Sequence, residues 1–210
     1  MNPYAVVSEF ENEVAKYAGC KYAVAVDNCT NALFLCCKYL NVREASIPKV
    51  TYPSVPCSII NAGGTVKFRD HNWTDHYRLE PYPIYDAARF FERGMYNTVP
   101  YTMPEEAYPD AAFLCISFSA TKIINIGKGG MILTNDADAV SWFKQARFCG
   151  RHEKAVMDDS FDMIGWNMYM TPEQAARGLL LMLNAKDKNY LPPYEYPDLS
   201  QFEIYSQRNS

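Results

Sequence analysis

A chain of 210 residues, 49% hydrophobic and 21% charged, can bury the core of one medium domain and lies outside the disordered and fibrous classes. Its 20 basic and 24 acidic residues leave a net charge of −4 with no long basic run, which disfavours binding to a nucleic-acid backbone. Seven scattered cysteines form no CxxC pair and no zinc spacing, the opening Met1-Asn2-Pro3-Tyr4 is not a signal peptide, and the greasiest run, Leu179 to Leu183, is far too short for a bilayer. These features predict a reduced, cytoplasmic protein with no metal site and no membrane span.

The first helix is predicted around Phe10, Val14 and Tyr17, with Ser8 to Glu11 at capping-box spacing and Gly19 as the stop. The run Tyr22-Ala23-Val24-Ala25-Val26 reads as a strand, Asp27 to Asn31 as a polar turn, and Ala32 to Leu40 as a helix. An extended segment opening at Ile47, a helix over 53–62, the breaker Gly63-Gly64 and a strand over 65–68 repeat the pattern. Such alternation predicts an α/β domain with a largely parallel sheet. Further strands are predicted over 83–88, 111–118 and 130–134, and a helix over 138–148. Thr171-Pro172-Glu173-Gln174 is a clear helix start, with a Thr N-cap, Pro at N1 and Gln at N3. The domain is expected to span 1–190, with 191–210 an irregular, proline-bearing tail.

Several positions invite a chemical reading. Gly127-Lys128-Gly129-Gly130 matches neither phosphate-loop spacing and reads as a tight connection. Thr30-Asn31, between a buried strand and a helix, is either an ordinary cap or an anion site at the positive helix end. Asp86 either caps a turn or is a semi-buried acid held ionised by a cation, with the small Ala88 on the same side of the strand. Lys122, just past an apolar strand, is either a solvated lysine or one desolvated into nucleophilic use. His71, His76 and His152 have no partner at motif spacing and read as surface or supporting residues.

Taken together, five blocks closely resemble the DegT/StrS family of sugar aminotransferases, which use pyridoxal phosphate (PLP) on the aspartate aminotransferase fold. They are Phe10 through Thr30-Asn31-Ala32-Leu33, Ile47-Pro48 with Thr51-Tyr52-Pro53-Ser54 and Asn61 to Gly64, Tyr85-Asp86-Ala87-Ala88, Ser117 to Lys122 with Gly127 and Gly129-Gly130, and Gly165 to Met170 with Gln174-Ala175-Ala176. The resemblance implies a three-layer PLP-transferase large domain with a mostly parallel central sheet, shortened between Asp70 and Asp86 and lacking most of the C-terminal small domain. It implies that Lys122 is the Schiff-base lysine and proton carrier, that Asp86 binds the ring nitrogen, and that Ala88 and Tyr52 flank the ring. Thr30, Asn31, Ser117 and, from a neighbouring subunit, Asn167 would hold the phosphate. The implied reaction moves an amino group from a donor such as glutamate to a nucleotide-linked keto-sugar in a homodimer with shared active sites. The departures are Arg89 where the family usually has Gln or His, Tyr169 for a common Arg, and Cys29 for a small Gly or Ser. With the shortening, they leave a non-catalytic binding or assembly relative as the alternative.

Overall fold

A computed structural model describes residues 4–98, 112–192 and 195–205. The chain runs through α1 (Ala5–Ala18), β1 (Tyr22–Val26), α2 (Cys29–Tyr39), β2 (Glu44–Pro48), α3 (Ser54–Asn61), β3 (Thr65–Arg69), β4 (Tyr77–Arg78), β5 (Ile84–Asp86), β6 (Phe113–Ser117), β7 (Gly130–Thr134), α4 (Ala137–Ala146) and α5 (Pro172–Met182). Ala111, the expected start of β6, lies outside the described residues. Among the described residues no helix is long and apolar enough to cross a membrane.

The main sheet has the order β1-β7-β6-β5-β4, and β2 and β3 form a separate parallel pair. A bridge between Ser46 and Glu80 ties that pair to the chain just after β4. The sheet is therefore mixed, where a mostly parallel one was expected. In its main part β5 and β6 pair in parallel, whereas β1–β7, β6–β7 and β4–β5 are antiparallel. The connections explain the difference. Neither the link over 118–129 nor the one over 79–83 carries a helix that could return the chain for a parallel pairing, so each turns the next strand back beside the last.

Successive side chains of a strand point to opposite faces, and both faces are covered here. Leu114, Ile116, Met131 and Leu133 pack with Phe10, Val14 and Ala175 of α1 and α5. Phe113, Cys115 and Ile132 pack with Leu33, Leu35 and Phe143 of α2 and α4. Burial on two sides is why these strands are continuous apolar runs rather than alternating ones.

The local signals hold at α5, where Thr171 and Gln174 form both halves of a capping box, and at Gly19, which closes α1 at φ 81°. They fail at the start of α1. The helix begins at Ala5 with no side-chain cap, so Ser8 lies inside it. Glu11 turns inward instead, accepting the Ala25 N–H at 2.9 Å and the Arg147 guanidinium at 2.5 Å. The described part of the tail carries some local structure. Short 3-10 turns cover Leu199–Gln201 and Glu203–Tyr205, Leu199 is buried, and Asp198 bridges to Val50.

Gly130 at the head of β7 sets how closely the sheet approaches the start of α2. A Cβ there would lie 2.5 Å from the Asn28 carbonyl carbon and 2.5 Å from the Cys29 nitrogen, and backbone cannot swing aside as a side chain does. Gly130→Ala is expected to cost about 1–3 kcal/mol by overpacking and to displace the N-terminus of α2. A thermal melt checks it, and an unchanged midpoint would contradict the close approach.

Candidate functional site

Strands β1, β5 and β6 point the same way, because β1 and β6 both pair antiparallel with β7 and β5 is parallel to β6. Their carboxyl ends open on one cavity of about 420 Å³. Ligands of open α/β sheets gather at such an edge. Asn28, Cys29 and Thr30 reach it from the start of α2, Asp86 and Ala88 from the end of β5, and Ser117, Ser119 and Lys122 from the end of β6. Tyr52, Trp73, Arg89 and Tyr196 complete its mouth.

At the α2 end, Asn28 is the cap. Its side-chain oxygen accepts the Asn31 N–H at 2.8 Å. The N–H groups of Cys29 and Thr30 precede the first bond of the helical ladder, Ala32 N–H to the Asn28 carbonyl at 3.1 Å. Donors in that position, at the positive end of the helix dipole, suit an anion. Ser117 and Ser119 stand across from them with hydroxyl oxygens 3.4 Å apart.

Asp86 is buried, and each carboxylate oxygen accepts one hydrogen bond: Oδ1 from the Ala88 N–H at 3.0 Å, and Oδ2 from the Tyr77 hydroxyl at 2.9 Å. Burial pushes its pKa above the ordinary value, opposed by the Ala88 N–H, the Tyr77 hydroxyl and the charge of Lys122. A carboxylate in that state gains most from a cation brought beside it. The pKa of Lys122 is lowered, first by desolvation and then by the Arg89 guanidinium, against the pull of Asp86. That favours the neutral amine, the form that attacks carbonyl carbon. Arg89 also donates to the Pro192 carbonyl, which ties the cavity mouth to the chain after α5.

Of the residues singled out in the sequence, Thr30, Tyr52, Asp86, Ala88, Ser117 and Lys122 meet in this cavity. Asn31 and Asn167 do not line it. The Asn31 amide donates to Asp27 at 2.7 Å, and Asn167 is exposed beside Phe148. Sequence reasoning passed over Tyr77, Trp73 and Tyr196. For Tyr77 the usable signal is Pro81-Tyr82-Pro83 between the alternating Tyr77-Arg78-Leu79-Glu80 and the short apolar pair Ile84-Tyr85, a hairpin pattern obscured by the polar residues before it. Trp73, whose indole donates to the Val50 carbonyl at 2.8 Å, and Tyr196, stacked on it at 6.2 Å, are joined only by the tertiary fold.

Comparison with known proteins matches residues 1–87 and 110–189 to the DegT/DnrJ/EryC1/StrS aminotransferase family. The chain is 29% identical to GDP-perosamine synthase of Caulobacter vibrioides over 82% of its own length and 55% of that protein's. It is 27% identical to the spore coat polysaccharide biosynthesis protein SpsC of Bacillus subtilis, again over 82% of this chain and 55% of the relative. The chain thus spans about half the length of the curated relatives it matches. Among solved structures, an aminotransferase from Psychrobacter cryohalolentis superposes with a TM-score of 0.66 at 20% identity, covering 85% of this chain and 56% of the other.

Proposed function

The chain belongs to the DegT/DnrJ/EryC1/StrS aminotransferase family, and from that premise we propose that it is the PLP-binding large domain, of three-layer build and shortened between Asp70 and Asp86, of a sugar aminotransferase. The observation that carries this reading is the meeting of Asp86, Lys122 and the first turn of α2 in one cavity. The donor set fits PLP. Each Asp86 oxygen has one hydrogen bond filled, leaving acceptor capacity for a protonated ring nitrogen. The helix start and Ser117 suit a phosphate.

When bound, PLP supplies an electron sink for the amino-bearing carbon of the substrate. The chain's residues do the rest. Asp86 keeps the ring nitrogen protonated through a charge-assisted hydrogen bond. Ala88 and Tyr52 would flank the ring, Tyr52 from the rim, where it is 55% exposed. Thr30 and Ser117 anchor the phosphate, with Asn31 as an outer contributor and Asn167 reaching the site of a second subunit in a homodimer. Lys122 Nζ would be the group that bonds the cofactor's aldehyde, and as a free amine the same Nζ would take the proton from the donor's amino-bearing carbon and return it to the cofactor's former aldehyde carbon. Its depressed proton affinity suits a base that must be neutral to act. The donor is an amino acid such as glutamate, the acceptor a nucleotide-linked keto-sugar, and the setting the cytoplasm.

Adding PLP to the purified chain tests the reading. It predicts a visible absorption band and a melting temperature that climbs with PLP concentration. The second reading, a non-catalytic binding or assembly protein, draws on Arg89 standing where the family usually has Gln or His. It predicts no band and a melting temperature indifferent to PLP, a result that would overturn the enzyme reading.

A further inference from the structure

We propose that Tyr77 is a positioning residue of this site: its hydroxyl, itself held by Thr51, orients the Asp86 carboxylate and keeps it ionised for a cationic ring nitrogen. The clause about the ring nitrogen rests on the PLP reading above; the coupling between Tyr77 and Asp86 does not.

Strands β4 and β5 are antiparallel, and Tyr77 is the residue directly opposite Asp86, so their side chains leave the sheet on the same face as close neighbours. The Tyr77 hydroxyl donates to Asp86 Oδ2 at 2.9 Å. A phenol has one proton to give. The contact between the Tyr77 and Thr51 hydroxyls must therefore be donated by Thr51, and the chain of donors runs from Thr51 through Tyr77 to the carboxylate. All three residues are buried, Thr51 completely, so water does not compete for these bonds. In that setting a hydrogen bond to a charged acceptor is stronger than in water.

The Ala88 N–H holds the other oxygen at 3.0 Å. With one donor on each oxygen, the carboxylate cannot rotate without breaking a bond, and its remaining acceptor sites stay fixed relative to the cavity. Burial would otherwise favour the neutral acid, and Tyr77 is one of the few groups opposing that. Burial also holds the phenol's own pKa well above its ordinary value, so Tyr77 remains a donor throughout the working pH range.

The test compares the wild-type chain with Tyr77→Phe, which keeps the ring and deletes the donor. In the PLP-free protein, carbon-13 NMR of labelled aspartate, with Asp86→Asn to assign the signal, follows the Asp86 titration directly. The midpoint is expected to rise by about one pH unit, a tenfold change, as befits loss of one hydrogen bond to a charged group. PLP affinity, measured across pH, is expected to fall about tenfold at pH values below the wild-type Asp86 midpoint and to recover as rising pH ionises Asp86 in the variant too. A deficit of equal size at every pH, or an unmoved Asp86 midpoint, would mark Tyr77 as merely structural and overturn the proposal.

If the wild-type chain binds no PLP, the function reading fails, and the Asp86 titration still decides the role of Tyr77. If Tyr77→Phe does not fold, 3-fluorotyrosine placed at position 77 serves instead. It is nearly isosteric and a stronger donor, so the Asp86 midpoint must fall, and an unchanged midpoint would reject the coupling.

Discussion

Glu11→Ala is expected to destabilise the fold by about 3–5 kcal/mol, the penalty for stranding one member of a buried ion pair. Arg147 has a side chain only 2% exposed and meets α1, β1 and the loop after α4. One of its terminal nitrogens reaches Glu11 and the Ala25 carbonyl, each at 2.5 Å, and the other reaches Glu153 at 2.8 Å. Its Nε has no hydrogen-bond partner. Burial works against its charge, and the pair with Glu11, helped by Glu153, outweighs it, so that its pKa is raised. Without Glu11 the guanidinium keeps a carbonyl and the more exposed Glu153, and the Ala25 N–H loses its acceptor as well. For a domain of this size the loss corresponds to a fall of about 10 °C in melting temperature. Glu11→Leu with Arg147→Met removes both charges and should restore much of it. A double variant no more stable than Glu11→Ala would show that the charge itself was not the burden. The pair matters to the site because Ala25 belongs to β1, the strand that delivers the chain into the start of α2.

Asp86→Asn is expected to leave the fold intact and reduce turnover of the PLP-loaded protein by about a thousandfold. A carboxylate and a cation 4 Å apart attract by about 4 kcal/mol at an effective dielectric of 20, and about that much is added to the barrier when the charge is removed. Steady-state rates at saturating PLP check this, and a loss below tenfold would contradict the assigned role. A pH signature accompanies it. Folded Asp86 has its pKa raised, chiefly by burial, above the ordinary 3.8, so the folded state binds its proton more tightly than the unfolded state. Its contribution to the stability of the PLP-free protein is complete below 3.8 and declines as pH rises through the raised value. Asp86→Asn flattens that slope. PLP affinity runs the opposite way, growing as the carboxylate forms.

What the sequence disclosed and what it withheld follow from how far each signal reaches. Gly19, the Thr171-Gln174 box and the apolar run of β7 are local, and each appears in the structure where composition and spacing place it. Strand direction is not local. An apolar run reads the same whether its partner is parallel or antiparallel, so the turn-backs into β5 and β7 escaped notice and the sheet proved mixed. Glu11 had capping-box spacing from Ser8, yet its ion-pair partner Arg147 lies 136 residues away, and an interaction at that separation leaves no trace in spacing. Asp86, Ala88 and Lys122 are legible as candidates because each lies at or just past the carboxyl end of a buried strand. Tyr77 is not, because a two-residue strand after the polar run 70–76 carries no periodicity.

On the proposed reading, Lys122 is the residue to which PLP bonds. Reducing the PLP-treated chain with borohydride, digesting it and locating the modified peptide by mass spectrometry tests it most directly. The account predicts a single pyridoxyl-modified lysine at Lys122, lost in Lys122→Ala. Modification centred on another lysine such as Lys128, or none at saturating PLP, would contradict it.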